Sequence, residues 1–262
     1  MNIWRPQEQS PPRPSPAEQE KFAYLRSYLL MRAVIGLIGI ALPIGLLLGD
    51  IAFLKGDTLP RGSLSAYYHS GMRDLFVGTL CAIGVFLITY RVFDRISDNL
   101  LSTVAGIAVL MVAFFPTGRP AGSQSPATPL QQRLGEGRVT VIHFVFAAIF
   151  IASLAITCYS FGVREGGRSQ QRWGHKAKRS PLFWRWFHWS CALLIVAAVA
   201  FSLIAKATGW LENYSLIIGE SVAVLAFGVS WLMKGLELDV LLAPKVAEQI
   251  GVIPKTSVTE PA

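Results

Sequence analysis

Charge is scarce in this chain. Only 15% of its 262 residues are Asp, Glu, Lys or Arg, against about a quarter in a soluble domain, so a water-facing globule of ordinary composition is excluded. Cysteine is scarcer still. Cys81, Cys158 and Cys191 are the only three, an odd number without metal-type spacing. That excludes a disulfide framework and leaves them as small apolar core residues. Histidine occurs four times, with no HExxH and no paired-histidine helical spacing. No glycine-rich phosphate loop and no nucleophile elbow is present. Nor is there an internal repeat, which removes the inverted-repeat signature of many secondary transporters. The first twenty residues, with Pro11, Pro12, Pro14 and Pro16 among polar neighbours, cannot form the apolar core of a cleavable signal. They read as a disordered cytoplasmic tail.

What the chain has instead is apolar length: 52% of its residues are hydrophobic and the mean hydropathy is +0.45. The apolar residues gather into runs at about 32–53, 73–92, 100–116, 139–161, 183–208 and 214–234, near the length that crosses roughly 30 Å of hydrocarbon. The expected fold is all-α, a polytopic bundle of six transmembrane helices within residues 21–236, followed by a cytoplasmic tail, 237–262. Pro43 predicts a kink in the first span, and the row Ala41, Gly45, Gly49 predicts close approach of a neighbouring helix. The connection 117–136 holds Pro, Gly, Ser and Gln without an apolar period and reads as mobile. The connection 162–182 reads as polar and flexible.

The net charge is +8, and its placement says more than its size. Basic residues collect in alternate connections, most densely in 162–182 with Arg164, Arg168, Arg172, Lys176, Lys178 and Arg179. The positive-inside rule then puts that connection, residues 93–99 and both termini in the cytoplasm of a bacterial-type plasma membrane. A basic loop beside an apolar span meets anionic headgroups, so membrane lipids are the expected partners and nucleic acid is not. Phe183-Trp184-Arg185-Trp186-Phe187-His188-Trp189 reads as an interfacial aromatic belt rather than a base-stacking platform.

One carboxylate breaks the last apolar run. Glu220 lies about 9 Å below the start of that span, and His143 about 6 Å below the start of the fourth, at 1.5 Å per residue. Asp74 opens the second span and His69 precedes it. All four share one outer layer, with Ser65, Tyr67, Tyr68 and Arg73 above. Ionisable groups at such depth face the bundle interior and each other. His69, His143 and Glu220 would suffice as three ligands for a zinc ion, with water at the fourth position. Asp74 would then orient a ligand or move a proton, and Ser65 and Arg73 would bind a developing oxyanion. Alternatively, Arg73 pairs with Glu220 or Asp74, His143 bonds a facing backbone group, and residues 63–69 cap a polar core. A third reading, an ion or proton path, requires polar groups continuing to the inner side. There, Tyr90 and Ser230 are among the few polar residues of spans two, four and six.

Ser63-Leu-Ser-Ala-Tyr-Tyr-His-Ser-Gly-Met-Arg-Asp-Leu-Phe-Val-Gly78, with Ala113-Phe-Phe-Pro-Thr117, His143-Phe-Val-Phe-Ala-Ala148 and Ala226-Phe-Gly-Val-Ser-Trp-Leu-Met-Lys-Gly235, resembles an uncharacterised family of bacterial multi-pass membrane proteins. More distantly, Ser65-x-x-x-His69 is similar to the serine–histidine spacing of the alkaline ceramidase and progestin-and-adipoQ receptor superfamily of membrane hydrolases, with Asp74 standing for its aspartate. The paired final-helix histidines of that superfamily have no counterpart here. This resemblance implies a metal-dependent, lipid-modifying hydrolase. A transporter or channel subunit and a non-catalytic membrane assembly protein are the alternatives.

Overall fold

The computed structural model describes residues 15–54, 60–90, 96–120, 125–172, 181–211 and 213–235. Every regular element among them is helical: α1 (Pro16–Gly49), α2 (Arg73–Thr89), α3 (Ile96–Phe114), α4 (Pro129–Leu134), α5 (Glu136–Arg172), α6 (Pro181–Thr208) and α7 (Ser215–Gly235). A π turn, Asp50–Leu54, extends α1, and a 3-10 turn, Ser65–His69, precedes α2. The expected tails lie largely outside the described residues, as do residues 91–95 of the second connection and His175. Residues 16–20, expected to be disordered, are the first turn of α1.

Four stretches are long and apolar enough to cross a membrane: Leu30–Phe53, Glu136–Arg164, Leu182–Thr208 and Ser215–Lys234. The apolar part of α3, Asn99–Phe114, is shorter, and α2 has 17 residues. Their outward faces are apolar: on α6, Leu193 is 69% and Leu203 64% exposed. In water such faces would be liabilities, whereas in hydrocarbon they are the ordinary surface. The helices are consistent with a multi-pass integral membrane protein.

The six long helices close a ring in the order α1, α2, α3, α5, α6, α7 and back to α1, while α4 rests on α5. Neighbours run antiparallel where two contacts fix their direction: Gly36 with Leu232 and Ile40 with Gly228, Gly84 with Leu110 and Ile88 with Gly106, His188 with Ser230 and Ser202 with Ser215. Lipid supplies no hydrophobic drive between helices, so packing depends on close backbone approach at small residues. A Cβ at Gly36 would meet the Leu232 backbone nitrogen at 2.5 Å, and one at Gly228 would meet the Ile40 nitrogen at 2.9 Å. The closest α1 crossing therefore lies at Gly36 and Gly39, earlier than the predicted row. Gly45 and Gly49 face the side chains of Leu75 and Met72 instead.

Two connections carry more structure than their composition predicts. The helix α5 continues to Arg172, because Arg, Gln and Glu sustain a helix after the apolar period stops. Within 117–136, Pro129 starts α4 and Thr128 with Gln131 forms a reciprocal capping box.

Candidate functional site

The predicted site residues lie at one end of the bundle, Ser65, His69, His143 and Glu220 on or beneath the segment 60–72 and Arg73 and Asp74 at the adjoining start of α2. The end of α1 and the first turns of α7 are both tied to the segment 60–72. The last turn of α1 widens into the π turn that begins at Asp50, and Asp50 is fully buried. Its carboxylate receives two guanidinium hydrogen bonds from Arg61, Nε to Oδ2 at 2.8 Å and Nη2 to Oδ1 at 3.3 Å. Arg61 also lies over the ring of the buried Tyr67, 5.8 Å from its centroid. Burial first, and the Asp50 charge second, push the Tyr67 hydroxyl pKa up.

The 3-10 turn is capped from both sequence-local and distant groups. Ser63 Oγ accepts from the Ala66 N–H at 3.0 Å and lies 3.1 Å from Ser65 Oγ, the local side-chain bonding that favours a turn over a longer helix. Glu220, partly buried in α7, accepts the Leu64 N–H through Oε2 at 2.6 Å, and the Ser65 N–H faces the same carboxylate. The free N–H groups of a helix start attract an anion in this way. Two residues before Leu64, the Gly62 carbonyl accepts the Ile217 N–H at 3.1 Å, so the segment is stitched to the first turns of α7 in both directions.

The histidines hold the far side of the cap. His69 Nε2 lies 2.8 Å from the Thr117 carbonyl, and His143 Nδ1 2.6 Å from that of Phe115. A carbonyl only accepts, so each of these ring nitrogens carries the proton. Gln131 Nε2 also donates to Thr117 O, at 3.1 Å. The reason is local: α3 ends at Phe114, and the carbonyls of the segment that follows, Phe115 and Thr117, have no helical donor and need outside ones. Burial lowers the pKa of His69, against the raising effects of the Thr117 carbonyl and the Glu136 charge.

The cap therefore gathers Ser65, His69, His143 and Glu220, but by separate attachments. Arg73 and Asp74 stand outside it. Arg73 is exposed, donates to Tyr68 Oη at 2.9 Å and lies 4.6 Å from that ring's centroid. Asp74 is exposed in the first turn of α2, where an acidic residue complements the helix dipole. Arg73 thus pairs with neither Glu220 nor Asp74. Among the described residues, no three His, Cys, Asp or Glu side chains are grouped to hold a metal ion. His69 and His143 are committed to carbonyls of the segment 115–117 and Glu220 to the N–H of Leu64, so the arrangement does not fit the expected zinc site.

Sequence reasoning missed Asp50, Arg61 and the acceptors Phe115 and Thr117. Asp50 carries the same warning as Glu220, a lone acidic residue at the edge of an apolar run. The Pro116 that follows α3 marks a helix end with carbonyls to satisfy.

Towards the opposite end, His188 Nδ1 lies 2.8 Å from Ser230 Oγ, both buried. Ser153 and Thr157 of α5 bond carbonyls of their own helix. No family model, no curated protein and no solved structure matches the chain.

Proposed function

We propose that the protein spans a bacterial-type plasma membrane six times, with both termini in the cytoplasm, and that its outer cap binds the amine-bearing headgroup of a phospholipid. Three features support the topology: the closed ring of helices with its antiparallel pairs, the length of α2, about 26 Å at 1.5 Å per residue, and the alternating placement of basic residues. The resemblance to a bacterial multi-pass family belongs to the same proposal.

The observation that carries the headgroup reading is the state of Glu220. Its carboxylate lies in an apolar helix and is met by backbone N–H groups, not by a cation. The Asp50 carboxylate takes Arg61, and Arg73 rests on Tyr68. An intramembrane carboxylate calls for a positive partner, and a lipid amine supplies one, with Arg73 at the same end to meet the phosphate. The hydrolase role implied by Ser65-x-x-x-His69 would need a further chemical group, and we derive no step through a metal.

The test is lipid analysis of the protein purified from bacterial membranes. Wild type should retain phosphatidylethanolamine over phosphatidylglycerol at the cap, and Glu220→Gln should lose that retention while Asp74→Asn keeps it. Equal phosphatidylethanolamine in wild type and Glu220→Gln refutes the reading. Because the cap's ionisable groups also have backbone partners, a non-catalytic assembly role is the second reading. It predicts altered stability in Glu220→Gln with unchanged lipid content.

A further inference from the structure

At the end opposite the cap, α5 and α6 meet at Gly162. A Cβ there would come within 2.6 Å of Trp189 Nε1 and 2.9 Å of the Arg185 carbonyl, so the indole is seated directly against the α5 backbone. Tyr159, one turn earlier on α5, stacks on it with centroids 5.7 Å apart and ring planes 9° from parallel. The Arg185 guanidinium lies 4.2 Å from the Trp189 centroid. Trp186 meets Trp189 edge-on at 5.5 Å. This corner opens outwards: Trp186 is 62% and Tyr159 54% exposed.

Arg185 is the unexplained group. Its Nε is buried without an acceptor, and the ion pairs among the described residues are Arg61 with Asp50 and Arg119 with Glu136. A guanidinium at a membrane boundary needs an anion, and its planar fork matches a phosphate. Stacking on Trp189 holds that plane in place. The start of α6 at Pro181, one turn away, adds positive potential of the same sign. Neither Tyr159 nor Trp189 can neutralise the charge, and among the described residues its exposed neighbours Tyr159, Val163 and Trp186 are largely apolar, so the fitting anion is one that carries its own hydrocarbon.

We propose that Arg185, held by Trp189 and Tyr159, binds the phosphate of an anionic phospholipid of the phosphatidylglycerol class. Its acyl chain would lie along the exposed faces of Tyr159, Val163 and Trp186. The six-span topology proposed above makes this the cytoplasmic leaflet; the site itself does not depend on the cap.

The experiment is native mass spectrometry of the delipidated protein in detergent, titrated with phosphatidylglycerol and with phosphatidylethanolamine of identical chains. In Arg185→Gln, phosphatidylglycerol affinity should fall about tenfold, the loss of one charge-assisted phosphate contact. Glu220→Gln and Arg119→Gln, at the cap end, should leave it unchanged. That pattern separates failure of this site from failure of the cap reading. Unchanged phosphatidylglycerol affinity in Arg185→Gln overturns the proposal. So does displacement of the lipid by inorganic phosphate alone, since that marks a site for free anions. Should Arg185→Gln not be recovered folded, Arg185→Lys decides. It keeps the charge but not the fork, and wild-type affinity there also overturns the assignment.

Discussion

Replacing Arg61 by alanine leaves the Asp50 carboxylate where it is, fully buried and without its two donors. Replacing Asp50 by alanine leaves the opposite partner, a guanidinium on a side chain that is 24% exposed and still lies over Tyr67. The two deletions remove the same ion pair, yet their costs differ, because stranding a charge is expensive only where water cannot reach it. Arg61→Ala should therefore destabilise by about 3–5 kcal/mol, the range for breaking a buried pair from one side. Asp50→Ala should cost only about 1 kcal/mol, the discounted value for a partly hydrated survivor. The double variant should resemble Asp50→Ala alone, a coupling that a thermodynamic cycle reads directly. Unfolding in mixed micelles with increasing sodium dodecyl sulfate, followed by circular dichroism, gives the three free energies. Equal costs for the two single variants, or a double variant equal to their sum, would refute the burial argument.

Gly228→Val forces a side chain against the Ile40 nitrogen and the Gly36 carbonyl, which cannot yield as a flexible side chain can. It should cost about 1–3 kcal/mol in the same assay, whereas Gly78→Ala, with nothing within 4 Å, should be neutral or slightly stabilising; equal losses would disprove the α1–α7 crossing. His69 has a folded pKa below its ordinary value, so the unfolded chain binds its proton first. The His69 contribution is then complete above about pH 6.5, the unfolded value, and is lost as pH falls below it. Thermal unfolding between pH 7.5 and 5 should accordingly show a steeper acid-side loss for wild type than for His69→Gln, which keeps a donor for Thr117 but does not titrate; parallel curves would count against it.

How far the sequence reaches depends on which partner an interaction uses. Apolar length leaves a direct mark, and the helix starts show it: runs expected from 73, 183 and 214 begin at Arg73, Pro181 and Ser215. Helix ends are less legible where polar helix formers carry on, as in α5 to Arg172. Glu220 was visible because a lone carboxylate in an apolar span is improbable without an interior role. Its partner was not, since a backbone N–H at Leu64 is chemically the same at every residue except proline. For His143 a facing backbone group is among the expectations and is what it meets, but not which one; His69 itself is expected only as a ligand, and both are directed to carbonyls. Reading four ionisable residues in one layer as mutual partners assumes that side chains seek side chains. Where three helices end together, the unpaired termini of the backbone compete for the same groups. Here the backbone is what they hold, and two partly buried charged residues among those described, Glu220 at one end and Arg185 at the other, are opposite in sign. A bilayer that offers amines to one and phosphates to the other is the simplest environment that neutralises both.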